Sequence, residues 1–184
     1  LALCGAVMQA ITRNPLADPY LLGLSSGAAL GAVSVLLLGA AVLLPLAAFV
    51  GALLALSLTL LLAGSLGAIT PSRTVLAGIA VSALASAITS FVIFWSVTGD
   101  SYREVLSWLL GSLSGARWPA VAITMLAIIV IGIPMMLTGR LLDSFAFGDV
   151  QAASLGVNVS ATRWGLLGAS ALVTGAMVSV SGSI

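Results

Sequence analysis

Arg13-Asn14-Pro15-Leu16-Ala17-Asp18-Pro19 is a polar break between two apolar runs. Pro15 has no backbone donor and disfavours helix at Asn14, so the preceding helix is expected to end there. Asp18 before Pro19 suits an N-cap with proline in the first helical position. The stretch reads as a turn where one helix stops and another starts, and capping alone accounts for every residue in it. What it separates decides the fold: long runs almost free of charge.

The protein has 184 residues, of which 61% are hydrophobic and only 6% charged. A soluble domain carries about 25% charged residues. Such a chain cannot cover a water-facing surface, so it must sit in lipid with its backbone polar groups satisfied internally. It contains neither Lys nor His, and its formal net charge is +1, which gives no electrostatic case for nucleic acid. The single Cys4 cannot form an internal disulfide. Zinc or haem sites built from His and Cys clusters are excluded. The chain opens on Leu1 and closes on Ile184, each inside an apolar run. It reads as an internal piece of a longer protein, in which no targeting segment can be judged.

Crossing a bilayer takes roughly 20 helical residues. Residues 1–12 look like the tail of one span. Residues 20–39, 43–66, 74–98 and 118–138 make four more, and 164–184 begin a sixth. These runs are continuously apolar, whereas a β-barrel needs alternating segments of about ten residues. The expected architecture is all-α: one polytopic transmembrane bundle of about five to six spans over residues 1–184. Alternate spans put Arg13, Arg73, Arg140 and Arg163 on one side and Arg103 and Arg117 on the other. The excess of positive charge favours the first side as cytoplasmic.

Two loops carry structure of their own. Ser101-Tyr102-Arg103-Glu104 has the spacing of a capping box and should open a short interfacial helix, ended in the Gly111–Gly115 region. On the other side, residues 144–157 predict a short amphipathic helix from Ala146 to Leu155, stopped by Gly156. Gly23, Gly27 and Gly31, four apart, let helix backbones approach closely in lipid. Ser82, Ser86 and Thr89 fall within roughly 60° of one another at helical periodicity, and Thr74, Gly78 and Ser90 extend the strip. That strip suits either interhelical hydrogen bonding or a water-filled path.

Taken with Gly5-Ala6-Val7-Met8-Gln9-Ala10 before it and Gly23-Leu24-Ser25-Ser26-Gly27-Ala28-Ala29-Leu30-Gly31 after it, the break resembles the permease signature of the FecCD/BtuC family. These are the membrane subunits of bacterial ABC importers for ferric siderophores, haem and vitamin B12, with roughly ten spans. The matching signature positions are Gln9, Arg13, Asn14, Pro15, Leu16, Ala17, Pro19, Gly23 and Gly27. Gly148-Asp149-Val150-Gln151-Ala152-Ala153-Ser154-Leu155-Gly156-Val157 resembles the family's cytoplasmic coupling loop, here about residues 140–163. The resemblance implies that Gly148, Asp149, Ala152, Ala153, Leu155 and Gly156 dock an ATPase. Asp149 near the helix start also complements the helix dipole. It further implies a cytoplasmic gate at Thr70, Pro71 and Ser72, and a pathway beside Ser82, Ser86 and Thr89. Without the resemblance, residues 146–156 read equally well as a surface connector.

The function so implied is that of a multi-pass permease subunit in the bacterial inner membrane. It would pass a ferric siderophore, haem or cobalamin by alternating access, as a homodimer or beside a homologous permease. Its partners would be an ABC ATP-binding subunit, a periplasmic or lipoprotein solute-binding protein and membrane lipid. It would bind no cofactor or metal itself and catalyse nothing, with ATP and Mg held by the partner ATPase. The alternative is a secondary transporter driven by an ion gradient. Such proteins hold ionisable residues or broken helices at mid-membrane, and the sequence shows neither. A subunit that only scaffolds a complex is the third reading, and the polar strip argues mildly against it.

Overall fold

The computed structural model describes residues 1–65, 70–96, 99–114 and 116–182. Helices follow in the order α1 (Ala2–Thr12), a 3-10 turn (Pro19–Leu22), α2 (Leu24–Leu37), a 3-10 turn (Ala41–Leu43), α3 (Leu44–Ser65), α4 (Pro71–Ser96) and α5 (Gly99–Leu110). Then come α6 (Trp118–Ala127), a π-helical turn (Ile128–Gly132), α7 (Ile133–Met136), α8 (Gly139–Ala146), α9 (Asp149–Ser154) and α10 (Val159–Ser181). No strand occurs among the described residues, as an all-α transmembrane bundle requires. Among the described residues, four helical stretches are long and apolar enough to cross a membrane: Leu44–Ser65, Pro71–Trp95, Trp118–Met136 and Val159–Ser181. The third is α6, the π turn and α7 in line. Its wider turn lies just before Pro134, which cannot donate to the ladder.

The second span differs from the single helix expected over 20–39. It is the 3-10 turn Pro19–Leu22 followed by a 14-residue helix, hinged at Gly23 with φ +82°. Their rises sum to about 29 Å, close to the thickness of the hydrocarbon core. The hinge interrupts the backbone ladder at the Leu22 carbonyl. Thr59 of α3, fully buried, donates its hydroxyl to that oxygen at 2.9 Å. Thr59→Val keeps the shape and removes the donor. It is expected to cost about 0.6–1.7 kcal/mol, the range for interhelical hydrogen bonds in lipid. Thermal unfolding of the full-length protein in detergent should show a lowered midpoint for Val and a retained one for Thr59→Ser. An unchanged midpoint for Val would show that the hinge carbonyl does not need Thr59.

The core lies where α1, α2, α3 and α10 meet. Cys4, Val7, Met8 and Ile11 of α1 pack in one buried cluster with Leu166, Leu167, Ala171 and Val178 of α10. Glycine decides the closest approaches. A Cβ at Gly27 would run into the Gly51 carbonyl of α3 and the Ala55 methyl, and one at Gly31 into the Ala47 carbonyl. Gly78 of α4 lies against the Leu21 carbonyl in the same way. Gly27 and Gly31 therefore act as the ladder predicts. Gly23 instead supplies the hinge.

Helix ends agree with expectation only in part. α1 stops at Thr12, where the first span is expected to end, and Arg13 caps it in the left-handed conformation at φ 51°. The Arg13 N–H reaches Ala10 O and the Asn14 N–H reaches Gln9 O, the paired bonds of a Schellman cap. α5 starts at Gly99, ahead of Ser101, so the Ser101–Glu104 spacing does not mark its first turn. The inner loop holds two short helices rather than one from Ala146. Gly148, at φ +102°, continues neither. α9 closes as expected at Gly156 (φ +84°), where the Gly156 and Val157 N–H groups bond to Ala153 O and Ala152 O.

Candidate functional site

The polar break after α1 is built by local capping. The Asn14 side chain accepts the Leu16 N–H at 3.0 Å, and Asp18 accepts the Tyr20 N–H at 2.7 Å as the cap of the Pro19–Leu22 turn. Ala17 and Pro19 are buried under the loop, whereas Leu16 is 84% exposed. Gln9 is exposed and contributes its carbonyl to the cap. Capping therefore accounts for Asn14 and Asp18, and the helix-end bonds for the Arg13 backbone.

The fold brings this loop to the start of α9. A Cβ at Gly148 would come within 3.2 Å of Arg13 Nη1. From α10, Arg163 Nη2 donates to both carboxylate oxygens of Asp149, at 2.9 and 3.1 Å. Its guanidinium carbon lies 5.6 Å from the Phe145 ring centroid. The Arg163 side chain is 6% exposed and that of Asp149 39%. Asp149 occupies the first turn of α9, where a negative charge is favoured, and it also serves as the partner of a buried cation. Sequence reasoning counted Arg163 only as a side marker. The signal was present: a cation beside Trp164 at the head of an apolar helix, 14 residues after the one acid of α9.

The six residues expected to dock an ATPase divide into two sets. Gly148 and Ala152 are buried, and Asp149 faces Arg163. Ala153, Leu155 and Gly156 are exposed, beside Val150 and Phe147 at 78% and 74%. The apolar residues exposed in and around α9 are Phe147, Val150, Ala153 and Leu155, with Gln151 and Ser154 exposed among them.

Thr70, Pro71 and Ser72 form the cap and first turn of α4. The Thr70 Oγ1 accepts the Arg73 N–H at 3.4 Å, and its carbonyl accepts both the amide and the hydroxyl of Thr74 at 3.0 Å. Ser72 is exposed. Further along α4, Ser86 is exposed and reaches Ser26 of α2, Oγ to Oγ 3.3 Å. Ser82 is half-buried, with its Oγ 3.5 Å from where a Gly23 Cβ would stand. Thr89 is buried and donates to its own Ala85 carbonyl at 2.8 Å. Of the three strip residues, Thr89 is thus buried, Ser82 lies beside Gly23, and Ser86 is exposed. At the far end of the bundle, Arg103, Glu104, Trp108 and Arg117 help line an open cavity of about 800 Å³. The two arginines assigned to the outer side thus line the same cavity. Among the described residues no three His, Cys, Asp or Glu side chains come together to hold a metal ion.

The profile of the FecCD transport family matches residues 1–184, the full chain. The chain belongs to the FecCD transport family. It is 38% identical over its whole length to the cobalamin import system permease protein BtuC of Halobacterium salinarum, covering 50% of that protein. It is 39% identical to the hemin transport system permease protein HmuU of Yersinia pestis (57% covered) and 33% to the Fe(3+)-citrate import system permease protein YfmD of Bacillus subtilis (55% covered). The chain thus spans about half the length of the curated relatives it matches. Among solved structures, an inward-facing conformation of a "metal-chelate type ABC transporter" superposes on all of the chain and 59% of its own, with TM-score 0.92 and 27% identity. Four membrane-length helices in a FecCD chain of this similarity make it a multi-pass protein of the inner membrane.

Proposed function

We propose that this FecCD chain forms part of the permease subunit of an ATP-driven importer, and that it passes a bulky metal chelate by alternating access. The observation that carries this reading is α9 and its flanks: Gly148 and Ala152 are buried while Val150, Ala153 and Leu155 are exposed. An unshielded apolar face on a helix this short suits a groove in a second protein. That protein would be an ABC ATPase carrying ATP and Mg, and a solute-binding protein would deliver cargo to the Arg103–Arg117 side. The cargo class follows the relatives, which carry cobalamin, hemin and ferric citrate by name. A ferric siderophore, haem or cobalamin fits a pathway helix that offers hydroxyls and, beyond Arg73 in its first turn, no charge. A second copy or a homologous permease would complete the pathway across the open face of α4, with Thr70–Ser72 at its inner end.

The test is co-purification of the full-length protein with candidate ATP-binding subunits from its host. Ala153→Trp is the informative variant, because Ala153 is exposed and helical. Gly156 is less suitable, since any side chain at φ +84° strains the cap. Ala153→Trp should weaken ATPase association about tenfold or more, ~1.4 kcal/mol, with insertion unchanged. The ion-gradient reading has one observation in its favour, the helix break at Gly23, a feature such transporters use for ion sites. Its Leu22 carbonyl is already engaged by Thr59. Uptake into liposomes driven by an ion gradient without any ATPase would favour that reading instead.

A further inference from the structure

α9 has little of its own to hold it in place. It is six residues long, far below the length at which a helix is stable alone. Only Ala152 among its side chains is buried. Its first residue, however, is tied to α10 through the Asp149–Arg163 pair, and Arg163 also lies over the face of Phe145 at the end of α8. One nearly buried guanidinium therefore contacts both short helices of the inner loop while belonging to the longest buried helix of the core. Arg13 reaches Gly148 from α1.

We propose that Arg163 is a positioning residue that makes α8 and α9 move as one body with α10, so that displacement of α9 is transmitted into the bundle. This rests on the reading of α9 as the ATPase-docking element. The chemistry is specific to arginine. A planar cation can hold a carboxylate and lie on an aromatic face at once, whereas lysine supplies only the charge. Docking and transmission are then separable, because the outward residues bind and Arg163 does not touch the partner-facing side.

The experiment uses the full-length permease with its ATPase in proteoliposomes, measuring ATPase affinity and substrate moved per ATP hydrolysed. Arg163→Gln should leave the affinity within about threefold while transport per ATP falls about tenfold or more, a coupling factor ordinary for linked sites. Arg163→Lys should restore part of that loss, and Asp149→Asn should reproduce the fall in transport per ATP. Asp149→Asn also decides the matter if Arg163→Gln does not assemble, since Asp149 is partly exposed. Unchanged transport per ATP in the variant that assembles overturns the proposal. Loss of ATPase affinity in step with transport also overturns it, because Arg163 would then only shape the docking surface. Failure of the unmutated protein to bind any ATPase would remove the docking reading and this inference together.

Discussion

Gly27→Leu is expected to abolish the assembled bundle. Gly27 of α2 and Gly51 of α3 face each other so closely that a Cβ on either would overlap the other's carbonyl oxygen. The obstacle is backbone, so no rotamer change relieves it. The helices would have to separate along their whole contact, including the Gly31–Ala47 approach one turn on. Overpacking in an ordinary core costs about 1–3 kcal/mol. Here the loss should be larger, because close backbone packing is the main attraction between helices in lipid. The measurement is recovery of monodisperse full-length protein from membranes, with thermal unfolding of what is recovered. Gly165→Ala on α10 is the control. A Cβ there meets nothing within 4 Å, and alanine should be neutral or slightly stabilising. A Gly27→Leu protein that melts with the wild type would show that the α2–α3 contact is not what holds the bundle.

The spans were legible because bilayer thickness fixes their length and the charges of this chain fall almost entirely between them. The Asp18–Pro19 start and the Gly156 stop were legible for the same kind of reason: each is a local backbone requirement written in one or two residues. What sequence did not show depends on partners far away in the chain. Gly23 looks like one rung of a ladder, and only packing of Leu21 and Leu22 against Gly78 and Thr59 turns it into a hinge. Arg13 is an unusual residue to find in a left-handed cap, so the end of α1 was legible but the cap that makes it was not. Residues 139–146 fall in the expected coupling loop yet form α8, because eight residues are too short a window to separate a helix from a connector by periodicity. Arg163 was visible as a charge, but its ion pair spans 14 residues and its aromatic contact 18, and neither is a local signal.

These distant contacts also join motifs that read as separate. Arg13 at the end of α1 meets Gly148 at the start of α9. Nine residues later the same loop delivers Leu22 and Gly23 to Gly78 and Ser82 of α4, and Ser26 to Ser86. The signature segment therefore lies between the element proposed to bind the ATPase and the helix proposed to line the path. Each apparently separate motif is one face of a single packed unit, which explains why a turn fully accounted for by capping can still be the most informative stretch of the chain.

Ser86→Trp tests the path itself. Ser86 is the strip residue with an open side, so a large ring there should fill the path without displacing packed neighbours. Ser82→Trp would be ambiguous, because Ser82 lies against the Gly23 hinge. Thr89→Trp would be worse, since Thr89 is buried. Ser86→Trp is expected to insert normally, bind the ATPase and reduce chelate uptake to near background. Ile88→Trp is the matched control. It lies two residues on, about 200° around the helix, and is itself 41% exposed. Uptake should survive there, because that side borders an apolar groove shared with α2 and α3. Full uptake by the Ser86→Trp complex would remove α4 from the pathway. Equal loss in both variants would mean that α4 tolerates no added bulk on either face, and the path would have to be sought along another helix.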